Sequence, residues 1–172
     1  MYASFGREMK VKAELDRLGI VSYIPMEYRM TEKDGERHPI LQPAIHNLIF
    51  VHSSQQKITE LKITNKECQP LQYMTRSPLS AANKREILTI DEKSMQNFIR
   101  ATETPSEKIK YLTITDFLYK EGRRVRIIDG NFAGVEGKIK RIHKNKVVVV
   151  MLENIAAVAI TNLSPSYLEF ID

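Results

Sequence analysis

The hydrophobic spacing changes several times along the chain, and each change predicts an element. Val11, Leu15 and Leu18 recur at helical spacing within Glu8 to Leu18, and Gly19 stands where a helix takes a left-handed residue to stop. A short strand is expected before that helix, over Tyr2-Ala3-Ser4-Phe5. After it, Ile20 to Met30 alternates, with Ile24, Met26, Tyr28 and Met30 pointing one way and Pro25, Glu27 and Arg29 the other. Lys33-Asp34-Gly35-Glu36 predicts a hairpin turn, with Arg37 to Gln42 as the returning strand. His46 to His52 is apolar on both faces, as suits a central strand covered on at least part of each side. Ile58 and Leu61 predict a short helix over Gln55 to Ile63, and Leu71 to Thr75 a further strand. Thr89-Ile90-Asp91-Glu92 reads as a capping box opening a helix that buries Met95, Phe98 and Ile99. The order β-α-β-β-β-α-β-α predicts an α+β sandwich, with helices packed on a mostly antiparallel sheet.

Thr102 to Lys108 is polar and contains a proline, so a linker is expected there, running to about Thr115. The expected division is a first domain over 1–103, a linker over 104–115 and a second domain over 116–172. Four of the seven glycines, Gly122, Gly130, Gly134 and Gly137, fall between Glu121 and Ile139, interleaved with a Val125/Ile127 alternation. Glycines clustered between strands report positive φ or close backbone approach, and Asp129-Gly130 is expected to hold Gly130 at positive φ. Lys144-Asn145-Lys146 reads as a turn, and strands over Lys146 to Leu152, Asn154 to Ile160 and Tyr167 to Ile171 bring the expected total in this half to five.

Composition narrows the function. At 172 residues and 42% hydrophobic, the chain can bury a core and fill one or two domains. No apolar stretch reaches the ~18 residues of a membrane span, and the first residues lack a signal peptide's basic start and apolar centre, so a cytoplasmic protein without membrane contact is expected. Cys68 is alone, and His38, His46, His52 and His143 show no ligand spacing, so no disulfide, metal or cofactor is expected. Net charge is +5, but residues 120–146 hold nine Lys/Arg against three acids. Such a stripe either follows a phosphate backbone or keeps a strand face solvated. Arg7, Lys10, Lys12 and Arg17 on the first helix, with Arg123 and Arg124, are the candidate nucleic-acid contacts. Ser53-Ser54 beside His52, or Asp91 beside Glu92, has no nucleophile elbow, phosphate loop or third orienting residue, so no enzyme is expected.

The order Gly122, Val125-Arg126-Ile127, Asp129-Gly130, Phe132 and Gly134-x-x-Gly137 closely resembles the KOW motif of NusG-type transcription factors and several ribosomal proteins. That resemblance implies a small five-stranded SH3-like barrel that binds protein or RNA. Tyr2, Phe5 and Arg7 look like the family's first strand and helix start, and Tyr23-Ile24-Pro25 like its second strand. Pro43 to Val51 aligns without a gap with the family's Pro-Leu-Phe-Pro-Gly-Tyr-Val-Phe-Val. The two halves together are similar to NusG-like elongation factors, whose first domain is a ferredoxin-like sandwich. The resemblance implies an apolar pocket for the clamp helices of RNA polymerase, carried by position to Phe5, Ile45, Leu48 and Phe50, with Tyr23 and Tyr73 beside them. Domain core is the competing reading of these residues, and Leu48 is expected to be the exposed one. The segment Lys62 to Cys68 would touch the opposite side of the polymerase cleft and discourage clamp opening. Replacement of Phe-Pro-Gly-Tyr by Ile45-His46-Asn47-Leu48 is similar to UpxY-type antiterminators of capsular polysaccharide operons. The barrel's implied partners are Rho or a small-subunit ribosomal protein. The alternative is a KOW-type RNA-binding or ribosome-associated protein, which would have no use for the apolar pocket.

Overall fold

The computed structural model describes residues 1–77, 85–112, 122–142, 145–152 and 155–171. They form two compact units, Met1–Pro25 with Pro43–Thr89, and Met26–Gln42 with Ile90–Asp172.

In the first unit, β1 (Tyr2–Ala3) pairs antiparallel with β6 (Leu71–Gln72), and β2 (Ser22–Tyr23) pairs with β5 (Phe50–Val51). A bridge between Tyr2 and Leu48 joins these pairs, and Ala3 N–H donates to the Asn47 carbonyl at 2.7 Å. Residues 47–51 are therefore the central strand. Leu48, Ile49 and Phe50 are all buried, as the unbroken apolar run predicts. Helix α1 (Glu8–Arg17) buries Val11 and Leu15. It ends at Gly19, whose φ is +69°, with Ile20 N–H bonded to Leu15 O and Gly19 N–H to Asp16 O. This paired closure needs a left-handed residue after the cap, and glycine adopts that conformation at little cost. Helix α2 (Gln55–Thr64) starts from the Ser54 hydroxyl, which accepts from Lys57 N–H, and it buries Ile58 and Leu61. The expected strand over Leu71 to Thr75 is split between β6 and β7 (Thr75–Arg76), which pairs with β8 (Glu86–Ile87).

The expected strand from Ile20 to Met30 is interrupted at Ile24-Pro25, where β2 ends and β3 (Met26–Lys33) begins. β3 pairs only with β4 (Glu36–Pro43) among the described strands, around Asp34 and Gly35 at positive φ. The expected apolar face divides accordingly. Ile24 is buried, whereas Tyr28 and Met30 are exposed, because among the described residues no third strand pairs with this hairpin, which stands as its own sheet.

In the second unit, helix α3 (Glu92–Thr102) is capped by Asp91, whose carboxylate accepts from Ser94 N–H at 2.9 Å. The cap is thus two residues beyond the Thr89 of the expected box. Phe98, Ala101 and Thr102 are fully buried on α3, with Met95 and Ile99 half-buried. Burying a side chain such as Phe98 contributes about 1.5–3 kcal/mol.

An antiparallel sheet follows in the order β14-β10-β11-β12-β13-β9. The strands are β9 (Ile109–Tyr111), β10 (Arg124–Ile127), β11 (Glu136–Ile142), β12 (Asn145–Leu152), β13 (Ala156–Ile160) and β14 (Leu168–Phe170). The sheet has six strands rather than the expected five, and the described pairings leave it open. The additional strand is β9, which lies inside the expected linker and pairs with Val158, Ala159 and Ile160. The turn expected at residues 144–146 has β12 beginning at Asn145, and Lys144 lies outside the described residues.

Register separates the two faces of this sheet. Val148, Val150 and Leu152 sit opposite Ile160, Val158 and Ala156, and with Val125 and Ile127 they build the core face. On the other face, Arg124 lies opposite Lys138, Lys138 opposite Val149, and Lys140 opposite Val147. That outer face is basic over β10 and β11. It becomes small and apolar over β12 and β13, where Val147, Val149, Ala157 and Ala159 pack with Leu112 and Ile142.

Candidate functional site

The turn from β1 into α1 has an unusual backbone. Phe5 and Gly6 both have φ of 65°, and the Phe5 ring is 90% exposed. A bulky residue in the left-handed region costs on the order of 1–3 kcal/mol unless its surroundings hold it there. Those surroundings come from the central strand. Gly6 N–H donates to Asn47 Oδ1 at 2.8 Å, Asn47 N–H donates to Glu8 Oε1 at 3.2 Å, and His46 Nδ1 lies 3.7 Å from the same oxygen. Asn47 also has a positive φ, 63°. Asparagine tolerates that conformation better than other non-glycine residues, and Asn47 stands where the aligned pattern carries glycine. Glu8 is buried and its Oε2 has no hydrogen-bond partner among the described residues. A buried carboxylate in the first helical turn is thus committed to bracing the loop that displays Phe5.

The other expected pocket residues separate by depth. Leu48, expected to be exposed, is 1% exposed, because its strand is bridged to Tyr2 on one side and covered on both faces. Phe50 is 7% exposed and pairs with the Tyr23 ring at a centroid distance of 6.5 Å, so it is core. Ile45 and Tyr23 are half-buried. Tyr73 is held against α2, its hydroxyl 2.9 Å from Thr59 Oγ1 and its ring beneath Lys62 Nζ at 4.7 Å. Of the six residues, Phe5 alone projects into solvent.

The basic candidates are also unequal. Lys12 is paired with Asp16 at 3.0 Å, and Arg17 grips Glu14 through two bonds of 2.8 and 2.7 Å. The Arg17 and Asn65 hydrogen bonds hold the Glu14 carboxyl down to about 2. Arg7, at the N-cap of the same helix, and Lys10, on it, are exposed. In the second unit, Arg123 stacks on Phe170 at 3.8 Å and Arg124 lies 3.5 Å from Glu136. The glycine-rich turn is built as the motif predicts. Gly130 has φ of 79°, Asp129 Oδ1 accepts from its N–H, Gly134 has φ of 85°, and Phe132 is buried. At Gly137, a Cβ would lie 2.7 Å from both Val148 Cγ1 and Val149 O, so strand packing excludes a side chain there. Gly122 approaches the Ile139 carbonyl oxygen in the same way.

Sequence reasoning missed Glu8, Asn97 and Arg100. Asn97 donates to the Glu136 carbonyl at 2.7 Å and accepts from Glu136 N–H at 2.8 Å, and Arg100 Nη1 reaches Gly134 O at 3.3 Å. Side-chain bonds to distant backbone leave no periodic trace. For Glu8 a weak signal existed, a carboxylate in the first helical turn, two residues after a glycine.

With this geometry in place, comparison with protein families becomes informative. The family described as Transcription termination factor nusG matches residues 1–100, more than half of the chain. The chain belongs to the NusG family. The KOW motif matches residues 121–151, which include the glycine-rich turn and most of β10 to β12. Comparison with curated proteins gives no match. NusG family members are transcription elongation or termination factors that generally bind RNA polymerase, and neither family is enzymatic. Among the described residues, no helix is long and apolar enough to cross a membrane. The family match runs through most of α3, whose Asn97 and Arg100 bond to the KOW segment.

Proposed function

We propose that this NusG-family protein is a cytoplasmic antitermination factor that grips the clamp helices of RNA polymerase through a surface centred on Phe5. One observation carries the reading. A large apolar side chain is 90% exposed on a strained backbone, and a buried carboxylate and an asparagine hold it there. Strain maintained in this way, without packing in return, marks an interaction site. Ile45 and Tyr23 would form the half-buried rim, with Leu48 and Phe50 as the floor supporting it. Residues 62–68 would reach the opposite side of the cleft, so that bridging holds the clamp closed through pauses. Binding energy alone does this work.

The finer assignments follow the same resemblance. Ile45-His46-Asn47-Leu48 favours a UpxY-type role on a capsular polysaccharide operon, and the C-terminal sheet is the open counterpart of an SH3-like barrel that would take Rho or a small-subunit ribosomal protein. Free duplex would be bound weakly and salt-sensitively, with useful affinity arising on paused polymerase where protein and nucleic-acid contacts act together.

Titration of the 172-residue chain against a clamp-helix fragment tests the central claim. A hot-spot side chain contributes at least ~2 kcal/mol, so Phe5→Ala should weaken binding more than tenfold while leaving thermal stability no lower than wild type. Wild-type affinity in Phe5→Ala, or no binding by the wild-type chain, rejects the surface.

A further inference from the structure

The hairpin of β3 and β4 presents two free edges of different character. Its loop is only Asp34-Gly35, at φ of 55° and 80°, the positive pair of a type I′ turn that sets Lys33 opposite Glu36. Ala44 N–H donates to Pro25 O at 2.8 Å, so the same register holds at the base of the hairpin. Hydrogen-bonded pairs alternate along antiparallel strands, so the ladder joins the odd-numbered residues of β3 to the even-numbered residues of β4. On β4 the outward backbone groups belong to Arg37, Pro39, Leu41 and Pro43, and the two prolines have no N–H to offer. Proline on an edge strand is a device against pairing with another chain. The outward positions of β3 are Met26, Tyr28, Met30 and Glu32, each with both a donor and an acceptor. No other described strand takes them. One edge is closed and the other is open.

We infer that β3 pairs with β3 of a second copy of this chain, giving a four-stranded antiparallel sheet about a two-fold axis. The side chains select the register. With Tyr28 opposite its own counterpart, Met26 meets Met30 in both directions, and Glu27 meets Arg29 in both directions. The Glu27–Arg29 pairs fall at non-hydrogen-bonded positions, where facing side chains come closest and opposite charges favour pairing. Centring the axis on Arg29 would set that residue against itself, and centring it on Met30 would set Tyr28 against Glu32. Within one chain Glu27 already holds Arg29 at 2.6 Å, so the dimer exchanges exposed ion pairs, and charge selects the register more than it adds affinity. A lone hairpin is marginal in water. Pairing sets its apolar face, where Tyr28 and Met30 are each 62% exposed and Leu41 opposite Tyr28 is 49% exposed, beside an identical face. A contact this short makes a weak, concentration-dependent dimer. Self-pairing needs neither Phe5 nor its brace, so it stands apart from polymerase binding.

Sedimentation equilibrium of the 172-residue chain, from micromolar to millimolar concentration, should show monomer and dimer in exchange. Tyr28→Pro removes both backbone bonds of the central pair but none to β4, so it should weaken dimerisation about tenfold or more with unchanged circular dichroism. Glu27→Arg and Arg29→Glu each set like charges opposite one another twice, and each should weaken self-association several-fold or more. An equimolar mixture of these two variants should regain the wild-type dimer, because each then offers the other two attractive pairs. Recovery in the mixture separates lost pairing from lost folding. Amide exchange at the Tyr28 and Met30 N–H should slow as protein concentration rises. Protection there that is independent of concentration means that another segment of the chain holds the edge, which overturns the inference. A chain that stays monomeric throughout, a dimer indifferent to Tyr28→Pro, or a charge-variant mixture no more dimeric than its components overturns it as well.

Discussion

Replacing Asn97 by alanine should detach α3 from the KOW segment, by an amount the geometry predicts. The Asn97 side-chain amide forms two reciprocal bonds to one residue, donating to Glu136 O at 2.7 Å and accepting from Glu136 N–H at 2.8 Å, in a partly buried setting. It thereby satisfies the backbone of Glu136 much as a neighbouring strand would. Each such bond contributes about 0.5–1.5 kcal/mol net, so losing both removes about 1–3 kcal/mol. At 1.4 kcal/mol per factor of ten, local opening should become roughly five- to a hundredfold more frequent. Amide hydrogen exchange reports this directly, and the Glu136 N–H should lose protection by that factor while core amides such as Val148 keep theirs. Asn97→Asp gives a graded control, because its carboxylate still accepts from Glu136 N–H but nothing donates to the carbonyl. Its loss should be intermediate, enlarged by placing a second negative charge near Glu136. Unchanged exchange at Glu136 in Asn97→Ala would show that α3 is held there by packing alone.

Other consequences can be checked on the same footing. Leu48→Ala, at a fully buried position, should lower stability by about 2–5 kcal/mol in chemical denaturation of the first unit, and a surface-like loss below ~0.5 kcal/mol would contradict its burial. Phe5→Gly should raise thermal stability by relieving the left-handed strain while abolishing clamp-helix binding, and a fall in stability would show that Phe5 packs in the free protein. Gly130→Val places a β-branched residue at a φ of 79° and should destabilise the C-terminal sheet by about 1–3 kcal/mol without changing exchange in the first unit. Glu14 is a carboxylate whose folded pKa is depressed, so its stabilisation is complete above the unfolded value of about 4.3 and is lost only as pH falls through about 2. A carbon-detected titration of Glu14 should show this, and Asn65→Ala should move the midpoint upward by removing the 2.6 Å bond.

Local chemistry made much of the fold legible. Gly19 and Gly130 were readable because a left-handed residue after a helix, or in a tight turn, is demanded by the backbone within a few residues. The buried central strand was readable from three consecutive apolar positions, and the KOW strands from alternation such as exposed Arg124, buried Val125, exposed Arg126 and buried Ile127. What escaped depends on partners distant in sequence. Leu48 was expected at the surface by analogy with an aromatic counterpart, but its bridge to Tyr2 lies 46 positions away and no local pattern encodes it. β9 reads as linker locally because Ile109-Lys110-Tyr111 is short and follows a proline-containing polar run, and only pairing with β13 makes it a strand. Tyr28 and Met30 failed in the opposite sense, since alternation shows that two faces differ without showing that a second layer covers either one.

The exposed Phe5 and the buried Leu48 follow from one arrangement. Leu48 is tied inward by the bridge that joins the central strand to β1, and that strand then places Asn47 where its side chain can hold Gly6. Asn47 can do so because it tolerates a φ of 63°, and its own N–H is drawn to Glu8. A glycine at position 47 would fit the backbone but could not hold Gly6, leaving Phe5 free to relax toward ordinary φ. The change from glycine to asparagine in the aligned loop thus replaces permissiveness with a specific brace. Asn47→Gly should therefore fold normally but bind the clamp helices more weakly, with faster exchange at the Gly6 N–H. Equal affinity and equal exchange in Asn47→Gly would mean that the brace has no part in binding.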